Sequence, residues 1–289
     1  MIGLSASIVL YKNDPAILRK TIRSFLDSSL KGNLMLVDNS PTDELRSLST
    51  EFNVTYHFNG ANHGFGKAHN QAIQSFLHQA EYHLVLNPDV YFGKEVLTEL
   101  YHFMENHPQV GLVMPKVLYP DGSVQPLCKL LPNPFILAIR RFFPFKNMVS
   151  RINDRYEMKS LGYDRVMNVP FLSGCFMFLR TAVLKEVGLF DENFFLYAED
   201  TDLSRRIHHH YKTIYYPTVA IHHLHARGSY KDFFLTAHNL RSAAYYFNKY
   251  GWFWDADRKR INNAAEKQTP LALQRVEKNV LPVFTERLS

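Results

Sequence analysis

Four short apolar runs, separated by segments of helical character, constrain the fold of this chain more than any other feature. Ser7-Ile8-Val9-Leu10, Leu34-Met35-Leu36-Val37, Val54-Thr55-Tyr56-His57-Phe58 and Tyr82-His83-Leu84-Val85-Leu86 read as strands. After the first, Asp14-Pro15 supplies the cap and first position of a helix whose apolar stripe is Ile17, Leu18, Ile22, Phe25 and Leu26. Gly66 to Leu77 reads as a second helix. The alternation predicts an α/β fold, a mostly parallel sheet with helices on both faces and ligands beyond the carboxyl ends of the strands. Asp38, Asn62 and Asp89 fall at or beyond such ends.

The second half departs from this pattern. Tyr119-Pro120-Asp121-Gly122 is a turn, and Leu130-Leu131-Pro132-Asn133-Pro134 is expected to block a long helix. Residues 135 to 146 mix apolar and aromatic side chains with cations, so 129–165 reads as a mobile or interfacial insertion. Core order resumes at Val169 to Leu179, a helix follows over Ala182 to Leu189, and Thr213 to Ile221 is strand-like. Two units are expected: 1–225, and a basic, aromatic, helical region over 226–289.

The length of 289 residues, with 46% apolar, supplies a full core. Cys128 and Cys175 are too few for a disulfide framework and lack metal-ligand spacing, so they read as thiols in a reducing compartment. Met1 to Tyr11 reads as a buried first strand, without a secretory leader, and nothing reaches the roughly 20 apolar residues of a membrane span. The expected location is cytoplasmic. The formal charge of +6 is uneven: 129–165 carries eight Lys/Arg against three Asp/Glu, and 226–289 eleven against six. Two basic segments on a slightly acidic body predict contact with something anionic, with solvated helix faces as the alternative. No nucleic-acid motif accompanies the pI of about 9.1, so nucleic acid is not an expected partner.

Two acidic clusters carry the chemistry. Asn87-Pro88-Asp89 closes the fourth strand, and Glu199-Asp200-Thr201-Asp202 follows a later apolar segment. One cluster holding a divalent cation against a diphosphate, and the other supplying a base, is the division of labour for moving a sugar from a nucleotide to a hydroxyl. Each has a plain structural reading as well: Asn-Pro-Asp turns a strand into a loop, and acids gather at a helix start for dipole reasons. Asn62-His63-Gly64-Phe65-Gly66 lacks the spacing of a dinucleotide fingerprint, yet Gly64 and Gly66 can let backbone approach a nucleotide, with Asn62 as a polar contact. Asn70 reads equally as a buried structural amide. His208-His209-His210 reads as a solvated helix end, and Arg206 as a surface ion pair or a diphosphate contact.

Taken together, Ser7-Ile8-Val9-Leu10-Tyr11, Val37-Asp38-Asn39-Ser40, Asn62 to Asn70, Asn87-Pro88-Asp89, Ser173-Gly174-Cys175, and Gly188-Leu189-Phe190-Asp191-Glu192 followed by Glu199-Asp200-Thr201-Asp202 resemble glycosyltransferase family 2. These are the inverting GT-A transferases, and the likeness, over about residues 5 to 255, is to the rhamnosyltransferase-like members that build bacterial surface polysaccharides. It implies that Asp38 accepts from the ring N–H of a pyrimidine, with Tyr11 near the base or ribose; helix capping through Thr42 or Asp43 is the alternative for Asp38. Asn87 and Asp89 stand in the family's acidic metal motif, with asparagine where an acid is usual. A histidine of Ile221-His222-His223-Leu224-His225 would complete the Mn²⁺ or Mg²⁺ site, His222 being favoured. Asp200 is implied as general base, with Ser173, Gly174, Asp191, Glu192, Glu199 and Asp202 on the acceptor side.

The expected activity is transfer of L-rhamnose from dTDP-L-rhamnose to a lipid-linked saccharide in O-antigen or related polysaccharide synthesis, by an enzyme peripheral on the inner face of the membrane. The rhamnose expectation comes from Ala226-Arg227-Gly228-Ser229-Tyr230 and Ser242 to Lys249. A UDP-hexose or galactofuranose donor is the near alternative, and an inactive saccharide-binding protein the distant one. A nucleotidyltransferase would show a glycine-rich phosphate loop near Tyr11, where none exists.

Overall fold

The computed structural model describes residues 2–142, 146–224 and 233–269. His225 and the Ala226 to Tyr230 motif lie outside the described residues.

The first half follows the expected alternation. Strands β1 (Ile2–Leu10), β2 (Asn33–Asp38), β3 (Thr55–Phe58) and β4 (Ala80–Leu86) are parallel in the order β3-β2-β1-β4, linked through α1 (Pro15–Leu26), α2 (Arg46–Phe52) and α3 (Phe65–Phe76). Asp14 caps α1 by accepting from the Ala16 N–H at 2.7 Å, and Leu18, Ile22 and Phe25 are buried. Ile17, expected in the same stripe, is exposed.

The two-residue period of β1 divides its faces. Leu4, Ala6, Ile8 and Leu10 enter the main core with Leu18 and Ile22. Ser5 and Ser7 point the other way and are equally buried, where Ser7 meets His69 Nδ1 at 2.7 Å and His83 Nε2 at 2.8 Å. A fully enclosed histidine stays neutral: burial lowers His69 well below its ordinary value and His83 to about 3.

Beyond β4 the sheet becomes mixed. After β5 (Val90–Phe92) and α4 (Val96–Glu105), β6 (Val110–Leu118) lies parallel to β11 (Lys212–His223). The run expected as one core segment at 169–179 is divided: β7 (Cys128–Lys129) pairs with β9 (Phe171–Leu172) in a separate ribbon, β8 (Met167–Asn168) pairs with β11, and β10 (Phe176–Arg180) runs antiparallel between β4 and β6. β5 closes the edge antiparallel to β11. Helices α7 (Thr181–Val187) and α8 (Glu199–His210) separate β10 from β11.

The 129–165 segment contains α5 (Pro134–Phe142), α6 (Lys146–Tyr156) and a 3₁₀ turn at Lys159–Leu161. No helix runs through Leu130 to Asn133, as expected, and the second proline opens α5. Pro134 stands at its start, where a missing N–H costs nothing, and Asn133 accepts from the Ile136 N–H at 2.9 Å. The C-terminal helices, α9 (Phe233–Tyr250) and α10 (Ala256–Lys267), pack on this body. Arg205 forks onto Asp255 at 2.7 and 2.8 Å, and Asn262 exchanges two hydrogen bonds with the Leu131 backbone. Tyr246 and Phe247 are buried against Phe194.

Candidate active site

Asp200 is the second residue of α8, after Tyr197 and Ala198 turn through the left-handed region at φ 71° and 67°. This turn presents the helix start to the break between β9 and β10. The Gly174 N–H donates to Asp200 Oδ2 at 2.9 Å, and the Thr201 N–H to Oδ1 at 2.8 Å. A Cβ on Gly174 would lie 3.2 Å from that of Asp200 and 3.3 Å from the Phe65 ring, so glycine eases the approach. Burial raises the Asp200 carboxyl, while the Gly174 N–H, Lys129 and Thr201 oppose the rise. Neighbouring Glu199 is buried with Oε2 unpaired, and burial followed by the Asp200 charge drives it upward.

On the other side of the same break, the Asn87 N–H donates to the Cys175 carbonyl at 2.9 Å and ties the exit of β4 to the Ser173-Gly174-Cys175 turn. Burial pushes the Cys175 thiol up to about 12, a hydrogen bond with Ser173 opposes this, and Asp89 and Asp200 both reinforce it. Cys175 is thus a poor nucleophile flanked by the two acidic clusters. Cys128 is a second buried free thiol.

His223 faces Asp89, with Nε2 3.3 Å from Oδ1. His222, the histidine expected there, stacks on Tyr91 with the rings 4.9 Å apart, as alternation along β11 requires once His223 points inward. The Gln125 amide donates to the His223 carbonyl at 2.7 Å and to the Leu118 carbonyl at 3.2 Å, so its oxygen, 3.0 Å from His223 Nδ1, accepts the ring proton there. Nε2 thus faces the Asp89 carboxylate oxygen. Two donors about 2.1 Å from one ion at a right angle stand about 3.0 Å apart, so the pair fits two adjacent positions around a divalent cation. Among the described residues no group of three or more His, Cys, Asp or Glu is gathered to hold a metal.

At the exits of β1 and β2, Asp38 is wholly buried. Its Oδ1 accepts from the Ser40 N–H at 2.8 Å and its Oδ2 from the Tyr56 hydroxyl at 2.6 Å. The alternative cap through Thr42 or Asp43 is not formed. Tyr11 is half exposed beside it. Asn62 accepts from the Gly64 N–H at 3.0 Å. Gly64, at φ 83°, would place a Cβ 2.1 Å from the Phe195 carbonyl oxygen, and Gly66 would place one 2.9 Å from Phe190. Both glycines therefore have a packing reason independent of any ligand. Asn70 is a buried structural amide that brackets the Phe190 backbone at 2.9 and 3.1 Å.

Several expected acceptor residues have other employment. Asp202 is fully buried, with Oδ1 accepting from the Tyr250 hydroxyl and Lys249 at 2.7 Å each and Oδ2 from Arg206 at 2.8 Å. Asp191 accepts from Lys249 at 2.7 Å and Tyr245 at 3.1 Å, and is held down at about 2 against its burial by Lys249 and Asn193. These two acids moor α9 instead of facing an acceptor. Arg206 is neither a diphosphate contact nor a surface pair, because it also donates to the carbonyls of Val187, Gly188 and Leu189. His208 is not solvated: it bonds Thr213 at 2.6 Å, and burial lowers it to about 4. Glu192 stays exposed, 3.1 Å from Asn70 Nδ2.

The model of "Glycosyl transferase family 2" matches residues 6–188, a stretch that contains β1 to β4, Asp89 and Gly174. The chain belongs to glycosyltransferase family 2. It is 27% identical over 241 residues, 77% of each chain, to the N-acetylglucosaminyl-diphospho-decaprenol L-rhamnosyltransferase of Mycobacterium tuberculosis. It is also 27% identical over 205 residues to the low-salt glycan biosynthesis hexosyltransferase Agl10 of Haloferax volcanii, covering 70% of this chain and 61% of that one. Among solved structures, GalNAc-T7 with UDP, GalNAc and Mn²⁺ superposes with a TM-score of 0.57 over 76% of this chain and 43% of its own, at 14% identity, which establishes the GT-A fold.

The transferase thus takes a nucleotide-sugar donor and a saccharide acceptor. Two participants were not legible in its sequence. Gln125 fixes the His223 ring from 98 residues away. Lys129 opposes the burial-driven rise at Asp200, and only a lone cation beside Cys128 marks it in the sequence.

Proposed function

We propose that this glycosyltransferase moves L-rhamnose from dTDP-L-rhamnose to a lipid-linked saccharide in the synthesis of a surface polysaccharide such as O-antigen. The likeness to a rhamnosyltransferase acting on a diphospho-decaprenol acceptor supports the donor and the acceptor class. The observation that carries the chemistry is the Ser173-Gly174-Cys175 turn, which joins Asn87 on one side and Asp200 on the other.

In this reading Asp38 and Tyr11 bind the pyrimidine and ribose, with Asn62 alongside, Gly64 and Gly66 shaping that wall, and Asn87 and Asp89 at the sugar diphosphate. Asp38 retains lone pairs for a ring N–H beyond its two internal donors. Asp89 and His223 would hold a divalent cation, Mn²⁺ or Mg²⁺, which supplies charge compensation to the departing diphosphate. Asp200 takes the proton from the attacking acceptor hydroxyl, and its burial-raised pKa brings its basicity closer to that task. Ser173, Gly174 and Glu192 border the acceptor. A single displacement inverts the anomeric centre.

Thermal stabilisation by nucleotide sugars tests the donor. The expected result is a larger rise with dTDP-L-rhamnose than with UDP-hexoses, increased by Mn²⁺. The reverse order would favour the hexose reading that the Haloferax relative supports.

We further propose that the enzyme works peripherally at an anionic membrane. Among the described residues no helix is long and apolar enough to cross one. Phe135, Phe253 and Trp254 are exposed, Trp254 at 94%, and Lys259 and Arg260 are exposed on α10. Two cations of the basic segments 129–165 and 226–289 serve otherwise. Arg258 is buried and donates to the carbonyls of Pro132, Gly251, Trp252 and Phe253, and Arg140 pairs with Glu157 at 2.9 Å.

A further inference from the structure

We propose that the hollow between α5, α6 and α10 holds the first prenyl units of a diphosphate-linked acceptor, with Arg140 and Lys129, which adjoin its wall residues Tyr156 and Leu130, receiving the diphosphate. This rests on the lipid-linked reading above and specifies where such an acceptor lies.

The hollow has a volume of about 790 Å³ and is walled by Leu130, Ile136, Ile139, Ile152 and Tyr156, with the exposed rings of Phe135 and Trp254 at its mouth. Two cations adjoin this wall. Lys129 immediately precedes the wall residue Leu130 and is partly buried. Its ammonium lies 5.1 Å from the Phe171 ring and makes no hydrogen bond or ion pair among the described residues. Arg140 stacks over Tyr156 at 4.6 Å. Its partner Glu157 is shared with Lys159 at 3.0 Å, so the cations here outnumber that acid.

Burial and then Arg140 lower the Lys129 ammonium, while Asp200 and Glu157 raise it. Tyr156, part of the wall, also feels Arg140 first among its charged neighbours and then Asp200. A cation with no hydrogen-bonded anion is costly to enclose, and an arriving phosphate would bond it directly. Cations beside an apolar hollow with exposed aromatics at its mouth match the diphosphate and hydrocarbon of a prenyl diphosphate.

Farnesyl diphosphate, which carries no sugar, is a suitable probe for the full chain in the absence of donor. Trp252 and Trp254 are the only tryptophans, so intrinsic fluorescence reads the mouth of the hollow, and calorimetry checks the affinity. Saturable binding is expected, at least about tenfold tighter than that of farnesol or inorganic diphosphate, weakened about tenfold by Lys129→Gln and restored by Lys129→Arg. Phe135→Ser, at an exposed site, should weaken it too. Stabilisation of Lys129→Gln by the nucleotide sugar should match wild type, which confirms its fold. Unchanged binding by Lys129→Gln, equal binding of farnesol, or no saturable binding would overturn the proposal. A wild-type enzyme that transfers sugar to a soluble saccharide yet ignores farnesyl diphosphate would sink this inference alone. Absence of any donor binding would instead remove the rhamnosyl reading.

Discussion

The carboxyl ends of the first four strands and the start of α8 are both rich in acids, and the structure uses them in opposite ways. Asp89 keeps 26% of its side chain exposed and faces a single imidazole, whereas Asp202 is fully buried and bonded to Tyr250, Lys249 and Arg206. Asp200 lies two residues from Asp202, yet its oxygens accept from backbone N–H groups of Gly174 and Thr201. A carboxylate bonded to backbone amides is positioned without losing its charge to a fixed cation. One bonded to Lys and Arg is a fastening. Acidic motifs therefore indicate where a site is, and partners decide which acid does the chemistry.

The sharpest break of this contrast sets Asp200 against Asp202. Asp200→Asn should cut transfer by about 10²–10⁴-fold with donor affinity nearly unchanged, since the base acts on the acceptor. Asp202→Ala should instead cost about 3 kcal/mol of stability, because Lys249 and Arg206 lose a buried counter-charge. Thermal unfolding and transfer assays on both variants decide it. An Asp202→Ala protein as stable as wild type but inactive would return Asp202 to the acceptor site.

Acid should attack the sheet half first. Burial holds His69, His83 and His208 neutral, the last two at about 3 and 4 against an ordinary 6.5. The unfolded chain takes up these protons below about pH 6.5 while the folded chain does not, so their stabilisation is present above that pH and lost as pH falls toward 4. Each contributes a slope of about 1.4 kcal/mol per pH unit. Glu199 and Asp200, raised in the folded state, act with the opposite sign, so the net loss is smaller than three histidines alone would give. Denaturant melts at pH 7 and pH 5 should show a clear drop; equal midpoints would contradict the buried neutral histidines.

The donor side has its own discriminating pair. His223→Ala should weaken Mn²⁺-dependent donor binding about 10- to 100-fold, Gln125→Leu should weaken it by a smaller factor through the ring it orients, and His222→Ala should leave it near wild type. An equal loss from His222→Ala would undo the assignment drawn from β11.

These residues also show what the sequence reveals. The β1 to β4 alternation and the Asp14 cap were legible because periods of two and 3.6 residues are local properties. The antiparallel insertion of β10 was not, since strand pairing joins residues far apart in the chain. That His222 and His223 oppose each other follows from alternation along a strand. Which one faces Asp89 depends on the phase of β11, and its register against β6 shifts between Tyr216 and Ala220. Asp191 and Asp202 were read as site residues because their partners Tyr245, Lys249 and Tyr250 lie on a helix some 50 residues on. The burial of Arg258 was illegible for the same reason: the four carbonyls to which it donates belong to two separate loops.

The smallest effect expected concerns the membrane, where the contrast becomes one between buried and exposed cations on a single helix. Arg258 faces inward, while its neighbours Lys259 and Arg260 are exposed beside Phe253 and Trp254. Each surface-proximal cation contributes about 1 kcal/mol toward an anionic bilayer, and exposed aromatic rings add interfacial anchoring. Flotation with anionic liposomes should therefore show binding at low salt that declines as ionic strength rises. Replacing Lys259 and Arg260 by Gln together should weaken it without changing the melting temperature, and Trp254→Ser should weaken it further. Arg258→Gln belongs to the other class: it strips donors from those carbonyls and should lower the melting temperature. If the Lys259 and Arg260 pair variant floats as well as wild type at every salt concentration, α10 does not supply the membrane contact, and its aromatic edge serves the hollow alone.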